Sequence, residues 1–150
     1  MNQNNSFVEL VIHDKAWLMI MSEVDWLEKL KEVYNLVTGR DRNIVSVCLT
    51  NNEEMTQLNG QFRSKHSSTN VLAFPQNLPN FLGDIALAYG TIKEEAEEQG
   101  KTFVHHATHL FIHGLLHLLG YDHQTESEAQ VMEVLEVKAL SALGIGNPYE

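Results

Sequence analysis

The stretch that decides the fold runs from position 113 to 123: His113-Gly114-Leu115-Leu116-His117-Leu118-Leu119-Gly120-Tyr121-Asp122-His123. An α-helix turns once in about 3.6 residues, so His113 and His117 share one face, about 6 Å apart. Gly120 can take the left-handed conformation that ends a helix and swings the chain back. His123 then returns toward the first two histidines. Three imidazoles with a vacant fourth position are the donor set of a catalytic tetrahedral zinc site. One histidine pair at this spacing is commonplace on helices; three with a glycine at the turn are not. Leu115, Leu116, Leu118 and Leu119 make the helix largely buried, and a buried imidazole without a partner is costly.

The spacing is similar to that of the metzincin metalloproteases, with one departure. Those proteins carry a general-base glutamate directly after the first histidine. Here Gly114 stands in that place. Glycine accepts no proton, so peptide hydrolysis by that route is disfavoured while the metal cage is intact. Upstream, His105 and His109 continue the stripe, which drifts about 40° at each step of four. His109 is expected to support the ligands from behind, and His105 to sit at the surface.

Outward from this helix, the patterns give a sheet and its cover. Residues 7–12 alternate as a strand, and 44–49 are a β-branched second strand. Between them Ser22 caps a helix closed by Gly39, with Val24, Leu27, Leu30, Lys31, Tyr34 and Val37 read as its inward face. Asn51 or Asn52 caps a short helix that turns Met55, Leu58 and Phe62 inward. A third strand, 70–75, is expected to stop at Pro75, followed by a loop and a fourth strand, 82–88, that carries Asp84. Thr91 is expected to cap an acidic helix, 92–99, and Thr102 the metal helix, 103–119. A capping box, Thr125-Glu126-Ser127-Glu128, opens the last helix. Val131, Val134, Leu135, Lys138 and Leu143 are read as its inward positions. The order β-α-β-α-β-β-α-α-α predicts an α+β fold. We expect a small mixed four-stranded sheet packed with about five helices, a zincin-like metal helix at the centre, and a single domain over residues 1–150.

Composition narrows the class. The 150 residues carry a net charge of −10 and one cysteine, Cys48. A lone cysteine in an apolar run forms no internal disulfide, which fits a reducing, cytoplasmic setting. Residues 1–5 lack the pattern of a secretory leader, and no apolar run approaches the ~20 residues that span a bilayer, so no membrane role is expected. The acidity argues against a general polyelectrolyte binder. It leaves room for a local basic groove, and 63–70 (Arg63-Ser64-Lys65-His66-Ser67-Ser68-Thr69-Asn70) is locally basic.

The segment His113-Gly114-x-Leu116-His117-x-x-Gly120-x-Asp122-His123 resembles the signature of the YbeY family of bacterial rRNA maturation endoribonucleases. Asn59, Arg63, Lys65, Thr69-Asn70-Val71-Leu72, Phe74-Pro75 and Leu82-Gly83-Asp84-Ile85 resemble that family's upstream blocks. The resemblance implies one zinc ion on His113, His117 and His123. It implies cleavage of single-stranded precursor ribosomal RNA, in 3′-end processing of the small-subunit RNA and in ribosome quality control. The small ribosomal subunit or its proteins would be partners. Arg63 is then the candidate catalytic and substrate-binding cation, since guanidinium grips phosphate bidentately, and Lys65 adds a point charge. Asp122 and Asp84 are candidates to orient an imidazole or buttress the turn.

Other readings stay open at this stage. Three neutral imidazoles also suit another divalent metal. The chain could be a ribosome-assembly binding factor with largely structural zinc, closed by Cys48 or His109 as fourth ligand. It could also be a metal-dependent hydrolase of peptides or small amides.

Overall fold

The computed structural model describes residues 7–39, 42–63 and 69–150, apart from the side chains at 62, 63 and 77. Strand β1, Val8–Ile12, leads into a 3-10 turn at Lys15–Met19 that buries Trp17, and then into helix α1, Glu23–Thr38. Strand β2, Ile44–Thr50, precedes α2, Asn52–Arg63. Strands β3, Val71–Leu78, and β4, Phe81–Ala88, form a hairpin. Helices α3, Tyr89–Gln99, α4, Phe103–Leu118, and α5, Glu126–Ala142, follow. This is the expected α+β class, with four strands and five α-helices among the described residues.

The sheet order is β1-β2-β4-β3. β1 and β4 both run parallel to the central β2, and β3 pairs antiparallel at the edge. Side chains alternate across a strand, so successive β4 residues serve opposite faces. Ile85 and Leu87 join Val45, Val47 and Leu49 in the main core, beneath Phe111, Ile112 and Leu115 of α4. Ala86 and Ala88 face the other way and pack with Leu72 and Met55 of α2 in a smaller core. The metal helix is therefore the centre of one layer, as its composition predicts.

Two glycines let α4 sit this close. A Cβ on Gly114 would stand 3.2 Å from two carbons of Ile85. Gly83 has φ +146°, and a Cβ there would lie 2.3 Å from the Phe74 carbonyl oxygen and 2.9 Å from Leu118 Cδ2. No other residue type fits that backbone without a shift.

Four local readings need correction. Strand β3 runs through Pro75 to Leu78. It is an edge strand, where a missing donor is tolerated, and its register slips between Pro75 and Leu78. Asn80, at φ 66°, then turns the hairpin in place of the expected loop. Helix α3 begins at Tyr89, directly from the strand, and the Thr91 amide and hydroxyl both bond Asn52 Oδ1 at 3.0 Å instead of capping. In α1 the buried face is Trp26, Leu30, Val33 and Tyr34, whereas Val24 is 69% exposed. Ser22 is the N-cap, so Val24 lies in the first turn, and the larger Trp26 takes the core position. In α5 the buried residues are Met132, Glu136 and Leu140, while Val131 and Val134 face solvent. The other caps, Ser22, Asn51, Thr102 and Thr125, act as expected, each accepting a hydrogen bond from a first-turn amide.

Candidate metal centre

The end of α4 is built by two backbone bonds. Gly120 N donates to His117 O and Tyr121 N to Leu116 O, both at 3.0 Å, with Gly120 at φ +104°. This paired pattern satisfies carbonyls that the helix end would otherwise leave open, and the left-handed glycine permits it. The chain turns back, and Asp122 Oδ1 accepts from His123 N at 2.8 Å, fixing the return.

The three rings converge. Centroids of His113 and His117 lie 4.6 Å apart, His117 and His123 5.0 Å, and His113 and His123 5.4 Å. One nitrogen from each lies within 4.8 Å of the others. The Nε2 atoms of His113 and His117 are 3.1 Å apart. Two nitrogens bound to tetrahedral zinc at about 2.0 Å would stand about 3.3 Å apart. Among the described residues, this group holds no fourth protein ligand.

Behind the rings lies a residue that sequence reasoning missed. Glu136, 1% exposed, accepts from His113 Nδ1 at 2.6 Å through one oxygen and from His109 Nε2 at 2.8 Å through the other. The Tyr149 hydroxyl, from the C-terminal tail, donates to the same oxygen as His109. Burial pushes the Glu136 carboxyl up, but the hydrogen bonds from His109, His113 and Tyr149 outweigh it and hold the group down to about 2. An anionic acceptor at Nδ1 fixes the proton of His113 there and leaves Nε2 as the donor atom. His117 is held below the usual histidine value by burial first, then by the neighbouring His113 and His123. This favours the neutral form, the form a metal requires. Donor type, spacing and support all fit a zinc-class divalent ion.

The other sequence candidates fall in different places. His109 bonds Glu136 rather than joining the ligand group, and His105 is exposed, as expected. Asp122 holds the turn. Asp84 is not brought to the histidines: it alternates with Ile85 onto the α2 side of the sheet and lines a pocket with Cys48. Cys48 likewise lies with His13 and Glu54, away from the three rings. Arg63 ends α2, but its side chain, and the whole of Lys65, lie outside the described residues. The signal that could have found Glu136 is its place between Met132 and Leu140, each four residues away on one helix face.

The endoribonuclease YbeY family model matches residues 11–144. A relative from Maricaulis maris, named Endoribonuclease YbeY, is 41% identical over 145 residues, covering 95% of this chain and 91% of the relative. One of the same name from Francisella tularensis subsp. novicida is 50% identical over 114 residues, 70% of each chain. A solution structure from Thermotoga maritima aligns with a TM-score of 0.60 and 26% identity, covering 91% of both chains.

Proposed function

The chain belongs to the YbeY endoribonuclease family, and on that premise we propose that it is a zinc-dependent, cytoplasmic endoribonuclease of single-stranded precursor ribosomal RNA. Its role is in small-subunit 3′-end processing and ribosome maturation, with the small subunit or its proteins as partners. The observation that carries this reading is the convergence of His113, His117 and His123 with no fourth protein ligand among the described residues. A zinc ion there would supply Lewis acidity toward a phosphoryl oxygen and acidify water to a pKa of about 7.

The protein's own residues do the rest. Glu136 sets the tautomer and angle of His113. Asp122 sets the turn that presents His123. Phosphodiester cleavage builds negative charge on phosphoryl oxygens, and Arg63, with Lys65 two residues on in sequence, is the positive charge we assign to meet it. Position 114 offers no carboxylate, and a side chain there would press on Ile85, which stands 3.2 Å from where its Cβ would be. This supports phosphate chemistry over the peptide hydrolysis that a glutamate there would serve.

The test pairs metal analysis with cleavage of precursor ribosomal RNA by wild type, His113→Ala and Arg63→Ala. We expect His113→Ala to lose the metal and cleavage together, and Arg63→Ala to keep the metal and lose cleavage. Full cleavage by metal-free His113→Ala would overturn the metal-dependent reading. Full cleavage by Arg63→Ala would remove that residue from the chemistry.

A further inference from the structure

On the sheet face opposite α4, three other donors meet. His13, just past β1, Cys48 of β2 and Glu54 of α2 bring one donor atom each to within 4.8 Å of one another. His13 Nδ1 lies 2.8 Å from Glu54 Oε1 and 3.4 Å from Cys48 Sγ. Hydrogen bonds tie the three segments together. His13 N donates to Leu49 O at 2.9 Å, which ties the end of β1 to β2. Glu54 N donates to Asn51 Oδ1 at 2.8 Å, and the Thr50 hydroxyl donates to Glu54 Oε1. The donors edge a pocket of about 670 Å³ that Phe74, Asp84 and Ala86 also line.

One ordinary reading fails on the geometry and a second accounts for only part of it. A thiol nucleophile with a histidine base and a carboxylate orienter needs both ring nitrogens, one for each partner. Here Cys48 and Glu54 address the same nitrogen, so no proton can be relayed through the ring. Burial, and then the charge of Glu54, also push the Cys48 thiol up to about 11, the opposite of an activated nucleophile. A plain surface ion pair of His13 and Glu54 leaves unexplained why the thiol closes on the same nitrogen. One centre shared by nitrogen, sulfur and oxygen is the arrangement a metal ion takes.

We propose that His13, Cys48 and Glu54 form a second metal site, for a zinc-class divalent ion, on the α2 side of the sheet. Zinc accepts imidazole, thiolate and carboxylate together, whereas magnesium and calcium take oxygen donors. The thiol proton leaves to solvent as the metal–sulfur bond forms. Thr50 orients the carboxylate, and the remaining coordination position opens to the pocket. The ion clips the end of β1, strand β2 and the first turn of α2, the helix that ends at Arg63. The site stands apart from the three-histidine centre and does not depend on the reading given for it.

The experiment is a Co²⁺ titration of the metal-free full chain, followed by absorbance. The chain has one cysteine, so a sulfur-to-cobalt charge-transfer band reports this site alone. We expect two equivalents to bind, with that band accompanying one of them and Zn²⁺ abolishing it by competition. Cys48→Ser is expected to lose the band and one equivalent while keeping the visible spectrum of the histidine centre. Glu54→Gln is expected to shift the band to higher Co²⁺ concentration. A single bound equivalent without the charge-transfer band overturns the site. So does a band that Glu54→Gln leaves unmoved, which also decides the matter should Cys48→Ser fail to fold.

Discussion

Glu136 accepts a 2.6 Å hydrogen bond from Nδ1 of His113. A carboxylate so placed makes the imidazole a stronger and better aimed donor. Glu136→Gln keeps the shape but removes the charge. We expect metal affinity to fall about 10–100-fold with the fold retained. Competition against a chelator of known affinity measures this, and unchanged affinity would detach Glu136 from the metal centre.

Gly114 presses α4 against Ile85. Restoring the protease-like residue, Gly114→Glu, forces a carboxylate into that contact. We expect a loss of about 3 kcal/mol or more in urea unfolding, from overpacking and an unpaired buried polar group. Gly114→Ala should lose less, since better helix propensity returns about 1 kcal/mol. A stable Gly114→Glu variant with peptidase activity would contradict the packing argument.

The raised thiol of Cys48 makes its reactivity a readout of its surroundings. In metal-free protein, alkylation should reach half its maximal rate near pH 11 rather than near the ordinary 9. The folded form keeps its proton longer than the unfolded one, so this contribution to stability is full below about 9 and is lost as pH rises toward about 11. Glu54→Gln removes the facing charge and should move the alkylation midpoint down, with burial still holding it above 9. A wild-type midpoint at 9 would contradict the buried placement.

Tyr149 donates its hydroxyl to Glu136 from the C-terminal tail. Tyr149→Phe leaves the ring against His109 but removes that donor. A stability loss of about 1.5–3 kcal/mol is expected, as for a hydrogen bond to a charged group. Thermal unfolding of the metal-free chain measures it; no change would show that solvent replaces the hydroxyl without loss.

What could be read from the sequence was local. Gly120, Ser22, Thr102 and Thr125 act within a turn of where they stand, so a helix end or an N-cap declares itself in a few letters. His113 and His117 are legible for the same reason. Failures came where tertiary context chose between near-equal local options. In α5 both Val131/Val134 and Met132/Leu140 sit at helical spacing, and only packing against α4 shows which pair turns inward. Choosing the valines put Glu136 on the solvent side and hid the carboxylate behind His113. Pro75 ends a strand in most contexts, but not on an edge. The meeting of His13, Cys48 and Glu54 joins positions 35 and 41 residues apart, which no local pattern encodes.

The most direct test is anomalous diffraction from crystals grown with zinc. We expect an ion bound by Nε2 of His113, with His117 and His123 completing three nitrogens at about 2.0–2.1 Å and solvent in the fourth place. Rings turned apart with no ion between them, or a protein side chain in the fourth place, would contradict it.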